Sequence, residues 1–96
     1  MLELTPTQQA LVCSIVDKHL ERRRVRVFGS RARGAAKPFS DLDLLVIGPA
    51  LGASLRGALD EAFDESDLPF RVDIVEAASV SAEFRVLIEL QAVALH

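Results

Sequence analysis

The chain has 96 residues and a mass of 10.5 kDa, enough for one domain, which we expect to span residues 1–96 as a single unit. Half of the residues are hydrophobic and 26% are charged, which argues against a disordered segment. No apolar run approaches the ~20 residues of a membrane span, and we expect no secretory signal. The lone Cys13 excludes an internal disulfide and a cysteine-based zinc site. These features predict a cytoplasmic protein.

The net charge of −3 hides a basic segment followed by an acidic one. Eight of the eleven Lys and Arg residues lie within 18–37, and eleven of the fourteen Asp and Glu residues lie from Asp41 onward. This distribution fits a site that handles both anions and cations, although charge alone favours a solvated surface. Nucleic-acid binding through the arginines at 22–24 and 26 is disfavoured, because aromatic residues are not interleaved with them and the chain is acidic overall.

The local patterns predict alternating helices and strands. Thr5, Pro6 and Gln8 form a capping box, and apolar residues at helical spacing extend this first helix to about Arg22. The later predicted elements are a strand Val25–Phe28, a short helix capped by Ser30 to about Ala35, a strand Leu42–Ile47, an amphipathic helix over 55–63, a strand Phe70–Val75, and a helix capped by Ser79 or Ser81 that reaches towards Leu95. The order predicts an α/β fold, with a small mixed sheet of about three strands and helices packed mainly on one face.

Two acids stand two positions apart at the start of the second predicted strand. Asp41 and Asp43 should project from one face, while Leu42 and Leu44 project from the other. Neighbouring carboxylates require cations, and hard oxygen ligands suit Mg²⁺, which also takes substrate phosphates as ligands. Alone the pair is weak evidence, because strand ends often carry two acids.

A Gly-Ser turn before these acids strengthens the case for a phosphate ligand. Gly29 allows a sharp turn and close approach of a phosphate, and Ser30 lies at a predicted helix N-terminus, where free N–H groups attract anions. Arg31 and Arg33 could add charge-assisted contacts to a polyphosphate. Without the acidic pair, an ordinary turn would be the default interpretation.

The third predicted strand carries one further acid. Phe70, Val72 and Ile74 alternate as a core face. Asp73 therefore lies on the opposite face, where a lone acid is usually just solvated. If this strand pairs beside the one that carries Asp41, Asp73 completes a three-carboxylate cluster, which can hold two metal ions roughly 3.5–4 Å apart.

Taken together, the segments Gly-Ser-Arg-Ala-Arg-Gly at 29–34 and Ser-Asp-Leu-Asp-Leu at 40–44 resemble the signature of the DNA polymerase β-like nucleotidyltransferase superfamily. More narrowly, the chain is similar to the minimal nucleotidyltransferases. Segments 68–73 and 81–85 also resemble later parts of that family, so the resemblance covers almost the whole chain.

The resemblance implies a set of site residues. Gly29 and Ser30 hold the triphosphate of a nucleotide. Asp41 and Asp43 bind two Mg²⁺ ions, with Mn²⁺ as an alternative. Asp73 is the third metal-binding carboxylate, and it lies near the acceptor hydroxyl and assists its deprotonation.

The resemblance also implies a reaction and a partner. The chain would move a nucleoside monophosphate, AMP from ATP, onto a hydroxyl on, or presented by, a separate all-helical chain of the HEPN or substrate-binding kind, as in a toxin–antitoxin pair. The last predicted helix is apolar on two sides, which fits either a partner or burial in its own domain. Its apolar residues are Phe84, Val86, Leu87, Ile88, Leu90 and Val93. The alternative function is a non-enzymatic antitoxin that neutralises its partner by binding alone.

Overall fold

A four-stranded mixed sheet forms the centre of the computed structural model, which describes residues 2–21 and 24–95. Along the chain the elements are α1 (Pro6–Leu20), β1 (Val25–Phe28), α2 (Ser30–Arg33), β2 (Leu42–Val46), α3 (Ala53–Asp64), β3 (Val72–Glu76), a 3₁₀ turn (Ala77–Ser79), α4 (Ala82–Gln91) and β4 (Val93–Ala94). The strand order is β3-β2-β1-β4. β1 is antiparallel to β2 and β4, whereas β2 and β3 are parallel and are connected through α3.

The alternation of side chains along the strands places the main core on one face of the sheet. Val27, Leu42 and Leu44 are at most 1% exposed, and they belong to the same cluster as residues of α1 and α3 such as Val12 and Leu59. A smaller cluster of Leu45, Ala77 and Ile88 covers part of the opposite face. The expected α/β fold, with helices mainly on one face, is confirmed.

α1 begins as its sequence predicts. The Thr5 hydroxyl accepts a hydrogen bond from the Gln8 amide at 3.1 Å, and the Gln8 side chain accepts one from the Thr5 amide at 3.0 Å. The helix ends at Leu20. Its predicted end at about Arg22 lies outside the described residues.

Several predicted bounds differ from the structure. Gly29, and not Ser30, is the N-cap of α2, which ends at Arg33. β3 begins at Val72 instead of Phe70, and β2 ends one residue before the predicted Ile47.

The largest difference is at the C-terminal side. α4 is capped by Ser81, whose hydroxyl accepts a hydrogen bond from the Phe84 amide at 3.1 Å. The helix ends at Gln91, and the chain then returns as a fourth strand beside β1. Val93, expected on the helix, is therefore a strand residue.

An arginine of α3 fastens β3 to the rest of the domain. Arg56 donates from Nη2 to the Ile74 carbonyl at 2.8 Å and from Nη1 to the Glu76 carboxylate at 2.8 Å. The second carboxylate oxygen of Glu76 accepts from the Leu51 amide at 2.7 Å. These bonds fix the strand that carries Asp73. Among the described residues, no helix has the length and apolar character needed to cross a membrane.

Candidate functional site

Two acids lie side by side on the sparsely covered face of the sheet. In the parallel β2–β3 pair, Asp43 is the direct register partner of Asp73, and across the antiparallel pair Asp43 faces Phe28. Asp41 directly precedes β2 and shares the side-chain parity of Asp43. The strand pairing on which the three-carboxylate interpretation depended is thus present.

The Asp43 carboxyl is the most constrained of the three. Asp43 is half-buried, whereas Asp41 and Asp73 are exposed. Burial raises the pKa of the Asp43 carboxyl, and the negative charges of Asp73 and then Asp41 raise it further. A like-charge cluster of this kind is relieved by a bound cation, so the chemistry of the donor set fits a divalent metal.

The carboxylates do not form a ready-made coordination shell. Across residues 2–21 and 24–95, no group of three or more His, Cys, Asp or Glu side chains is placed to hold a metal ion. Ligation by all three acids would require side-chain rotation, which Asp41 and Asp73 can undergo because both are exposed.

Gly29 brings the Gly-Ser turn into contact with the acidic pair. Its backbone has φ 75° and ψ −155°, a conformation that is essentially restricted to glycine. A Cβ built on Gly29 would collide with Oδ2 of Asp43. Gly29 and Asp43 are therefore neighbours in space although 14 positions separate them in the sequence. Groups that bind the phosphates of a nucleotide and groups that bind its metal ion have to be neighbours in this way.

The two arginines of α2 have different environments. Arg33 is exposed, as a phosphate-contacting side chain must be. Arg31 is only 5% exposed, and its guanidinium donates to main-chain carbonyls, among them those of Ser40 and Glu3. Four hydrogen bonds to backbone oxygens leave the Arg31 guanidinium few donors for a ligand. The structure therefore does not show Arg31 in the position expected for a phosphate contact.

Two residues, Glu3 and Ser40, stabilise the chain segment that leads to Asp41, and neither of them was assigned this role from the sequence. The Glu3 side chain accepts a hydrogen bond from the Ala36 amide at 2.8 Å, and the Ser40 hydroxyl accepts one from the Lys37 amide at 2.9 Å. Ser40 belongs to a local turn pattern, Lys-Pro-Phe-Ser, that could have indicated its role. Glu3 offers no such signal, since its partner lies 33 residues away.

A surface cavity of about 570 Å³ opens beside the loop before β2. Its walls include Glu3, Gln8, Lys37 and Phe39, but neither the Gly-Ser turn nor any of the three acids. The cavity therefore does not locate the chemistry, which the strand register and the donor groups indicate instead.

Comparison with known proteins is consistent with this geometry. A family model described as "Nucleotidyltransferase domain" matches residues 12–94. The chain belongs to this nucleotidyltransferase family. A protein of Haemophilus influenzae named "Probable protein adenylyltransferase MntA" is 42% identical over 88 residues, which are 91% of this chain and 77% of that protein. The chain is thus an enzyme of the nucleotidyltransferase class.

Solved structures agree on the fold. A solved structure described as "Structure of putative minimal nucleotidyltransferase" has a TM-score of 0.61 and 33% identity, and the match covers 91% of this chain and 88% of that one. A toxin–antitoxin structure with AMP-PNP has a TM-score of 0.75 over 92% of this chain and 72% of that chain. At 22% identity, the second match shows a shared fold.

The Asp43 carboxyl gives the nucleotidyltransferase a testable dependence of stability on pH. Its pKa is raised in the folded protein, so its charge lowers stability once the pH rises through that value. We expect Asp43→Asn to increase the free energy of unfolding at pH 7, because it removes a charge that burial and the neighbouring carboxylates make unfavourable in the folded state. As the pH falls through the pKa of the folded and then of the unfolded state, the carboxyl becomes protonated in both, so the gain should shrink towards zero.

Urea unfolding of the wild type and Asp43→Asn at pH 7 and at pH 3.5 measures this effect. Asp64→Asn, which changes an exposed acid on α3, is the control for the altered net charge. An Asp43→Asn protein that is less stable than the wild type at pH 7 would show that the charge is compensated in the fold.

Proposed function

We propose that this nucleotidyltransferase moves AMP from ATP onto a hydroxyl of an all-helical, HEPN-type partner, or onto an acceptor that the partner presents, and acts as an antitoxin. The observation that carries the proposal is the contact of Gly29 with Asp43, together with the pairing of Asp43 and Asp73 in the sheet. The relatives support it, since one is named a protein adenylyltransferase and another was solved as a toxin–antitoxin pair with an ATP analogue. A cytoplasmic location stays a prediction.

The residues have separate tasks in this proposal. Gly29 and Ser30 bind the triphosphate through the backbone at the start of α2, and Arg33 adds a positive charge at the surface. Asp41, Asp43 and Asp73 would hold Mg²⁺ or Mn²⁺, which supply charge neutralisation at the α-phosphate and the leaving pyrophosphate.

Asp73 is suited to orient the acceptor. It is exposed, unlike its neighbour Asp43, so an incoming hydroxyl can reach it from solvent. Its carboxylate can accept the hydroxyl's proton as the oxygen attacks the α-phosphorus and the bond to pyrophosphate breaks. Positioning and charge neutralisation supply most of the catalysis in such a transfer.

An intact mass spectrum of the co-purified partner tests the function directly. Incubation of the complex with ATP and Mg²⁺ should add the mass of one or more AMP units to the partner chain. If the partner gains no mass, and no small molecule in the mixture becomes adenylylated, the enzymatic proposal is wrong.

A second candidate function is neutralisation of the partner by binding alone, and the surface of α4 favours an interaction role. Only Ile88 of its ten residues is buried. Its exposed apolar side chains are Phe84, Val86, Leu87 and Leu90, with exposures of 48%, 58%, 59% and 79%. A helix this short gains most of its stability from packing, so we place the partner's contact on this exposed apolar surface. Ile88 packs on the sheet face that carries the acids, so α4 and its exposed surface lie on the same side of the sheet as the acids.

Truncation of this surface should weaken the complex. We expect Leu87→Ala with Leu90→Ala to raise the Kd for the partner by about 10- to 100-fold, because apolar side chains at an interface are replaced while alanine preserves the helix. Isothermal titration calorimetry with the purified partner measures the change. Glu89→Ala, which lies on the side of the same helix away from Leu87 and Leu90, is the control. An unchanged Kd for the double variant would place the interface elsewhere.

A further inference from the structure

Arg31 lies where three segments of the chain meet. Its Nε donates to the Ser40 carbonyl at 3.0 Å, and its Nη1 donates to the Glu3 carbonyl at 2.8 Å. Its Nη2 is shared between the carbonyls of Pro38 at 3.1 Å and Lys37 at 3.4 Å. One side chain thus binds the N-terminal segment and the loop that leads into β2.

The same guanidinium also contacts the start of the third strand. Its central carbon lies 4.0 Å from the centre of the Phe70 ring, which is buried. The residue after Phe70 accepts a hydrogen bond from the Leu42 amide at 2.9 Å, which begins the pairing of the second and third strands. Arg31 therefore contacts the peptide segments just before both acid-bearing strands.

The bond to Ser40 has a direct consequence for Asp41. The Ser40 carbonyl belongs to the same planar peptide unit as the Asp41 nitrogen, so holding that oxygen fixes the plane from which Asp41 continues. Two further bonds close the turn, from the Ser40 amide to the Lys37 carbonyl at 3.0 Å and from the Lys37 amide to the Ser40 hydroxyl at 2.9 Å. Arg31 supports this closed turn from the interior.

We propose that Arg31 is a positioning residue, which holds the 37–40 loop so that Asp41 stands beside Asp43 in an arrangement able to bind a divalent metal. This inference rests on the proposed function, since it assigns Arg31 to the same site. A guanidinium is required because its planar fork donates in several directions at once and stacks on an aromatic ring, whereas the ammonium of a lysine is a single compact charge. Arg31 contacts neither metal nor nucleotide in this role.

Metal binding without nucleotide provides a readout that does not depend on transfer. We expect Arg31→Met to weaken Mn²⁺ binding, followed by electron paramagnetic resonance titration, by about 10- to 100-fold, as is typical when the support of a ligand is lost. Arg31→Lys should recover only part of this affinity. Arg24→Met is the control. It removes an exposed arginine that directly precedes β1, at the end of the strand away from Asp43, and it should bind Mn²⁺ as the wild type does.

Amide hydrogen exchange tests the same inference independently of any metal. The amides of Ser40 and Leu42 are hydrogen-bonded and should exchange faster in Arg31→Met, while the amides of the β1 strand keep their wild-type rates. If Arg31→Met does not fold, Arg31→Lys is the decisive variant, because its long aliphatic stem can still pack on Phe70.

The outcomes separate this inference from the proposed function. Wild-type Mn²⁺ affinity and wild-type exchange at Ser40 and Leu42, in the variant that folds, would overturn the positioning role and leave the function intact. A wild-type protein that binds Mn²⁺ neither alone nor with a non-hydrolysable ATP analogue would contradict the metal-dependent function, and the exchange rates alone would then decide whether Arg31 orders the loop.

Discussion

Asp41→Asn combined with Asp43→Asn is expected to abolish nucleotidyl transfer and leave the protein folded. Asparagine preserves the shape of both side chains but removes the charges that hold cations, so transfer should fall by at least about 10²- to 10³-fold. The fold should persist, because Asp41 is exposed and the charge of Asp43 is itself unfavourable in the folded state. Transfer of radiolabelled AMP to the partner measures the loss, and thermal unfolding followed by circular dichroism checks the fold.

A control of equal charge change is available at the end of α3 and in the segment that follows it. Asp64→Asn with Asp67→Asn alters two exposed acids at and after the end of α3, and transfer should stay at the wild-type rate. Undiminished transfer by the Asp41 and Asp43 variant would refute the metal assignment. Co-expression with the partner adds a second test: full protection from toxicity by that variant would favour neutralisation by binding alone.

Among the single substitutions considered, Gly29→Ala is expected to lower the free energy of unfolding most. Any L-residue there is strained at φ 75°, ψ −155°, at a cost of about 1–3 kcal/mol. The new Cβ would also displace Oδ2 of Asp43, which adds to the loss of stability and disturbs the acidic pair. Urea unfolding gives the stability, and the transfer assay gives the activity, which we expect to be lost.

Gly52→Ala is the matched control for the cost of backbone strain. Gly52 is also a helix N-cap, with φ 80° and ψ 155°, but a Cβ there meets nothing within 4 Å. This variant should lose stability from strain alone and should retain transfer. Equal losses in the two variants would mean that the contact between Gly29 and Asp43 contributes nothing.

Alternation in the sequence predicted the face of its strand that each acid occupies, but it left open whether the two strands pair. Leu42 and Leu44 are buried on one face, which places Asp43 on the other, and a parallel partner strand then brings Asp73 alongside. The first helix was equally readable, because the Thr5 capping box is a local interaction between residues three positions apart.

Long-range contacts account for what could not be predicted. β4 has only two residues, Val93 and Ala94, and their pairing with β1 leaves no local signal in the sequence. The apolar spacing of α4 continues past the end of the helix, so the sequence predicts a longer helix than the structure has. The burial of Arg31 was equally hidden, since an arginine after a Gly-Ser turn is expected at the surface. Its burial depends on Glu3 and Phe70, which lie 28 positions before it and 39 after it.

Phe28, Asp43 and Asp73 are register partners across three neighbouring strands. Within β2, Asp43 alternates with the buried Leu42 and Leu44, and this alternation restricts where residues can be inserted or deleted. Deletion of one residue inside β2 would exchange its two faces, exposing the leucines to water and driving a carboxylate into the core. The loop at 48–50 carries exposed residues and has no such constraint, whereas the 37–40 loop is held by Arg31. Insertions and deletions among homologues should therefore accumulate in the 48–50 loop, while the 37–40 loop keeps its length and the spacing from Asp41 to Leu44 stays invariant.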